Sequence, residues 1–161
     1  MVRRQRQVAG FVGADIWKEV TAGHDSFYTG TQPWGEERME RLWVGFGAIA
    51  GASMVAMAAY ASHGLVGISP SVLSGVANAI QMQGFHALAL VATGLWARRG
   101  GILSHLAGLA FLLGIIFFCG TLYQPIAPAW ARGFHFGFLA PTGGMLLIGG
   151  WVLLGLSALR R

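Results

Sequence analysis

From Leu42 to Ala61 the chain runs twenty residues without a charge. Crossing a hydrocarbon core of about 30 Å takes about 20 helical residues, so this run predicts a first membrane span at 42–61. Ser69-Pro70 is a good helix start, with Ser as N-cap and Pro at the first helical position. A helix from Pro70 to Trp96 would be about 40 Å long at ~1.5 Å per residue. That exceeds the core, and its opening (SVLSGVANAIQMQ) is mild and polar. The pattern therefore predicts an interfacial opening and a second span at 80–97. Two more apolar runs predict spans at 102–123 and 138–159, the latter with Pro141 near its beginning. The fold class expected is all-α: a polytopic four-transmembrane-helix bundle with an N-terminal cytoplasmic extension.

The extension, residues 1–41, reads differently. Val8, Phe11, Val12, Ile16, Trp17 and Val20 recur at roughly helical spacing, with Asp15, Lys18 and Glu19 on the opposite face. This predicts a short amphipathic helix at 6–21, on the membrane surface or against a partner. Residues 22–35 carry turn formers and no period, which predicts a loop. Residues 36–41 form a charged helical lead into the first span. Arg3, Arg4 and Arg6 resemble the start of a secretory signal, but Asp15, Lys18 and Glu19 interrupt the apolar core that a signal needs.

Composition sharpens this picture. Hydrophobic residues make up 55% of the 161, charged residues only 11%, and the mean hydropathy is +0.58. Soluble domains carry about 25% charged residues. Four apolar runs in such a chain leave too little polar surface to cover a soluble globule. All six acidic residues lie before residue 42. The net charge of +5 and the pI near 10.4 do not point to nucleic acid, because the basic residues flank apolar runs singly or in pairs and form no stripe. With four spans, one side of the membrane holds Arg3, Arg4, Arg6, Lys18, Arg38, Arg41, Arg98, Arg99, Arg160 and Arg161, and the other holds Arg132. Basic residues concentrate on the cytoplasmic side. The expected placement is a multi-pass protein of a bacterial cytoplasmic (inner) membrane with both termini cytoplasmic. Gly47 and Gly51 make a GxxxG pair, and Ala110 and Gly114 repeat the spacing; such small faces let helices pack closely in lipid.

At this point several stretches match a known pattern. AAYASHGL (58–65), SPSVLSGVANAIQMQGFHALAL (69–90), FLLGIIFFCGTLY (111–123) and APTGGMLLIGGWVLL (140–154) occur in the same order as in a family of small integral membrane proteins. The chain resembles the domain of unknown function 423 family, which is transmembrane protein 256-like. The resemblance covers about residues 42–159. It implies a four-helix membrane fold and implies no reaction. Residues 1–41 depart from the family's short N-terminus. Gln83, Gly84 and Phe85 stand where the family has polar or aromatic residues before a His in the second span.

That residue is His86. An ionisable side chain inside a span is a functional hypothesis by default. With His63 at the end of the first span, and with Tyr123, Gln124, His135 and Thr142, it would form a polar pocket toward the external side. His86 and His63 are the candidate cofactor-binding residues, since neutral imidazole ligates metals or hydrogen-bonds a carbonyl. The structural reading is that His86 hydrogen-bonds a neighbouring helix or a backbone carbonyl and that His63 caps a span end beside Gly64. Cys119 reads as a buried small apolar group. Trp43, Trp96, Trp130 and Trp151 read as belt residues at the membrane interface, Trp151 deeper.

No acid lies in the bundle, so no carboxylate–His or Ser–His–Asp arrangement can be built there, and an enzyme is not expected. No metal site is expected and the sequence specifies no cofactor. The leading functional expectation is a non-catalytic accessory or structural subunit of a larger membrane complex of photosynthetic or respiratory type. Phe11, Trp17, Phe27, Tyr28 and Trp34 would face other membrane subunits. The alternatives are a quinone-, haem- or pigment-binding anchor using His86 and His63, and a small transport protein. The expected partners are the lipid bilayer and other subunits, not nucleic acid.

The charge bias makes a direct prediction. A reporter fused after Arg161 should give a cytoplasmic signal, and one inserted within 124–132 an external signal. An external C-terminus would refute both the span count and the orientation.

Overall fold

The computed structural model describes residues 34–128 and 138–159. Among these the chain is all-helical, with no strand. Helix α1 spans Trp34–His63, 30 residues, and so takes in the charged lead as well as the first apolar run. Helix α2 spans Pro70–Tyr123, 54 residues, and is followed by a single 3-10 turn at Gln124–Ile126. Helix α3 spans Leu139–Leu159, 21 residues. The expected amphipathic helix at 6–21 and loop at 22–35 lie outside the described residues.

Three of these helices are long and apolar enough to cross a membrane. The sequence reading expects four, and the difference has a definite origin. The stretches expected as second and third spans run together in α2 with no loop between them. A straight helix of 54 residues would be about 81 Å long. Gly101 prevents this, with φ 56° and ψ −144° inside the helix. That backbone region strains any residue carrying a Cβ, and glycine adopts it freely. Residues on either side of Gly101 then meet. The Cys119 thiol lies 3.4 Å from the Ala79 carbonyl, and the Tyr123 hydroxyl lies 2.9 Å from Gln83 Oε1. The two arms, residues 70–100 and 102–123, therefore lie side by side in opposite directions.

The start of α2 follows its sequence signal. Ser69 has the extended φ and ψ of an N-cap (−60°, 145°), although its hydroxyl pairs with Ser71 rather than with the backbone. Pro70 opens the helix where a missing N–H costs nothing. Pro141 sits in the first turn of α3, which is tolerated for the same reason.

Helix α1 packs on both arms. Gly94 faces the Glu40 carbonyl and Val44, so that a Cβ on it would meet Val44 Cγ2 at 2.7 Å. Gly47 faces the Ala87 carbonyl and Val91 in the same way. On the other arm, Gly108 lies under the Trp43 ring. Helix α3 meets the second arm where Gly114 faces Leu147, Gly143 faces Phe118 and Gly150 faces the Phe111 ring. Ala110 is buried, whereas a Cβ on Gly51 would meet nothing within 4 Å. The core is Leu90, Phe111, Val76 and Cys119 with a set of small residues. Trp43 is 5% exposed and belongs to this core rather than to a lipid-facing belt.

Gly94→Ala should destabilise the purified protein by about 1–3 kcal/mol, because the added methyl meets backbone that cannot step aside. Gly149→Ala has open space and should be neutral or better. Thermal unfolding in one detergent compares the two. Equal melting temperatures would show that the seam at Gly94 is looser than described.

Candidate functional site

Three of the buried polar side chains, Gln83, His86 and Thr93, lie along the first arm of α2. His86 is 6% exposed. Its Nδ1 lies 2.7 Å from the Met82 carbonyl, which can only accept, so Nδ1 carries the proton. Its Nε2 then accepts a hydrogen bond from Trp151 Nε1 of α3 at 3.2 Å. An imidazolium would direct an N–H at the Trp151 N–H, so this geometry suits the neutral ring. Phe111 completes an aromatic set, with its centroid 5.8 Å from His86 and 5.3 Å from Trp151. The His86 and Trp151 rings are 6.2 Å apart and edge-on.

One turn earlier, Gln83 is a junction between three helical segments. Its Nε2 donates to the Ala50 carbonyl at 2.9 Å and to Ser53 Oγ at 2.6 Å, both on α1. Its Oε1 accepts from the Tyr123 hydroxyl at 2.9 Å, on the second arm. Ser53 in turn donates to Ala50. A cavity of about 340 Å³ lies beside this chain, lined by Ser53, Met57, Gln83, Ile115, Cys119 and Tyr123. Further along, Trp43 Nε1 donates to His105 Nδ1 at 3.0 Å, and Glu40 accepts from Arg98 Nε through both carboxylate oxygens at 3.0 and 2.9 Å. The hydroxyls of Ser104 and Ser157, both buried, meet at 3.3 Å.

The structure does not bring the two candidate histidines together. His63 ends α1 and is exposed. The α1 seam pairs Val44 with Gly94 and Met54 with Gly84, which sets His63 level with residues near 75. That is about 16 Å along the helix from His86. Nor does either nitrogen of His86 reach a ligand without giving up a protein partner. Tyr123 pairs with Gln83 rather than with a histidine, and Thr142 turns back on the Phe138 carbonyl. Phe11, Trp17, Phe27, Tyr28, Trp130 and His135 lie outside the described residues, and Trp34 is the first residue of α1. Among the described residues no group of three His, Cys, Asp or Glu side chains is placed to hold a metal.

Gln83 was passed over as a site residue, although its chemistry marks it as a partner-seeking group. An amide in an apolar run needs a hydrogen bond from another helix. Its three partners were not legible, because they depend on how the segments rotate. The pairing of Trp43 with His105, and of Trp151 with His86, was missed for the same reason.

Residues 57–144 match the family described as "Protein of unknown function (DUF423)". A UPF0382 membrane protein of Staphylococcus haemolyticus is 32% identical over 121 residues, which is 74% of this chain and 97% of that relative. A UPF0382 membrane protein of Haemophilus influenzae is 32% identical over 117 residues, 72% of this chain and 92% of the relative. The UPF0382 inner membrane protein YgdD of Escherichia coli K12 is 30% identical over 122 residues, 74% of this chain and 91% of the relative. No solved structure matches. The chain belongs to the DUF423 family.

The amide junction makes a quantitative prediction. A double-mutant cycle on Gln83→Leu and Tyr123→Phe should give a coupling of about 0.6 kcal/mol and no more than about 1.7, the range for interhelical hydrogen bonds in membranes. Unfolding in detergent or bicelles measures it. A coupling of zero would mean that the Tyr123 hydroxyl spends its time elsewhere.

Proposed function

We propose that this member of the DUF423 family is a non-catalytic protein of the bacterial cytoplasmic (inner) membrane, acting as an accessory or structural subunit of a larger membrane complex. One observation carries the reading: the buried Gln83 and His86 side chains are each engaged by other groups of the protein. Gln83 joins Ala50, Ser53 and Tyr123, and His86 joins Met82 and Trp151. Groups so engaged hold helices in register and offer little to a substrate.

The chain crosses the membrane four times with both termini cytoplasmic. The reversal at Gly101 supports this, since each arm of α2 is itself of spanning length. Glu40 and Arg98, which the charge bias assigns to the cytoplasmic side, are in direct contact. The inner membrane is the location in the printed name of the Escherichia coli relative. Residues 1–41 are a cytoplasmic extension that docks on the partner through Phe11, Trp17, Phe27, Tyr28 and Trp34. In support, the family match begins at residue 57, and the Staphylococcus haemolyticus match covers 74% of the chain.

A second reading is a quinone-, haem- or pigment-binding anchor at His86. The aromatic pair Phe111 and Trp151 around a buried imidazole favours it. A visible-absorbance spectrum of the purified protein, which reveals a haem or pigment, together with solvent extraction and ultraviolet detection of any quinone, separates the two.

The subunit reading is tested by solubilising membranes gently and identifying the chains that copurify. The full chain should bring down a defined set of membrane subunits. A chain lacking residues 2–35 should remain folded and inserted but lose them. Full-yield copurification by the shortened chain would overturn the docking role of the extension, and a solitary full-length protein would overturn the subunit role.

A further inference from the structure

Two grooves lie end to end along the seam between α1 and the first arm of α2. The first, of about 590 Å³, is lined by Glu40, Arg41, Val44, Gly45, Leu95 and Arg98. The second, of about 530 Å³, is lined by Ala48, Ala52, Gly84, Phe85, Leu88 and Val91 among others. On α1, residues 41, 45, 48 and 52 follow helical spacing, as do residues 98, 95, 91, 88 and 84 on α2, so both grooves open on one face. Arg41, Ala48, Ala52, Phe85, Leu88 and Leu95 are all exposed there.

The seam is charged at one end only. Glu40, Arg41 and Arg98 line the first groove and sum to one positive charge. Glu40 fixes Arg98 at the mouth through its Nε. Beyond Gly45 the lining is apolar, with Gln81 at the far end as its single polar side chain. From the level of Glu40 to that of Met54 the seam is about 21 Å long. Half a bilayer, headgroups included, is about 20–22 Å thick.

We propose that this seam binds one anionic phospholipid, with its phosphate at Arg41 and Arg98 and an acyl chain along the groove floored by Ala48, Gly51 and Gly84. Three features select that occupant. The net charge of the described residues lining the mouth is opposite in sign and equal in size to that of one phosphodiester. The length is that of one lipid in one leaflet. The charged end coincides with the start of the apolar run of α1 and lies near the reversal at Gly101, where headgroups would lie. The site rests on the membrane placement of the helices and is independent of the subunit role.

Native mass spectrometry of the full-length protein in detergent tests this, with phosphatidylglycerol and phosphatidylethanolamine of identical acyl chains. Phosphatidylglycerol should be retained about fivefold more, which is what one arginine contributes near an anionic surface. Arg41→Gln should remove that preference, and Arg41→Lys should keep most of it. Ala48→Phe, which fills the apolar floor and leaves the charges, should lower retention of both lipids. Melting curves of each variant confirm that it is folded. Equal retention of the two lipids by the natural protein would overturn the proposal in favour of unselective annular lipid. So would a preference that survives Arg41→Gln, or displacement of phosphatidylglycerol by glycerol phosphate at equal concentration.

Discussion

Everything in this protein depends on how closely its helix backbones approach one another. In water, apolar faces are driven together. In lipid that drive is missing, and helices associate through van der Waals packing and hydrogen bonds between them. Both act at short range, so the glycines decide where contact occurs. Gly94 and Gly47 let α1 reach the first arm of α2, and Gly114, Gly143 and Gly150 let α3 reach the second. A methyl group at any of these would meet a neighbour closer than side chains normally come. The large core residues Leu90 and Phe111 fill what the glycines leave open.

Close approach then makes the polar pairs possible. Gln83 reaches a backbone carbonyl on α1 because the helices already touch at Gly47 and at Gly84 beside Met54. Trp151 reaches His86 because Gly150, its neighbour, brings α3 against Phe111. An unsatisfied amide or imidazole in an apolar medium costs several kcal/mol, so these groups disfavour every register in which they stay unpaired. Each pair adds little stability of its own, about 0.6 kcal/mol on average. Its effect is selection among arrangements that apolar packing alone would leave nearly equivalent.

Segment positions were legible in the sequence because they depend on local quantities. The apolar runs at 42–61, 80–97, 102–123 and 138–159 fall in helical stretches, although the middle two share α2 and α3 opens only at Leu139, and Ser69-Pro70 marked the start of α2 to the residue. Rotation about the helix axis was not legible. Helices that are apolar on every side carry no periodic signal for which side faces inward. Hence Gly47 and Gly51, alike in sequence, differ in the structure: one is pressed on Val91 and the other has open space. Hence also Trp43, read as a lipid-facing belt residue, lies on Gly108 and donates to His105. The junction at Gly101 was hidden for another reason. Two adjacent glycines after two arginines read as a loop, yet a single positive φ suffices to reverse the chain.

The placement of acidic residues fits the same physics. All six lie before residue 42, and Glu40 is the last of them. It pairs with Arg98 at 2.9 Å, with the arginine side chain 64% exposed and the carboxylate 16%. Exposed ion pairs contribute little to stability, so this one is poorly explained as glue. Its position explains it better. The Glu40 carbonyl lies against Gly94, the closest approach of α1 to the first arm at this end. One turn of slippage between the two helices, about 5.4 Å, would separate the charges and carry the Gly94 contact onto a residue with a side chain. Backbone packing and the ion pair therefore specify the same register, one by exclusion and the other by attraction. An acid deeper in the span would have to be neutralised or desolvated at a cost of a few kcal/mol. At the edge of the apolar run, beside Arg98, it can still discriminate between registers.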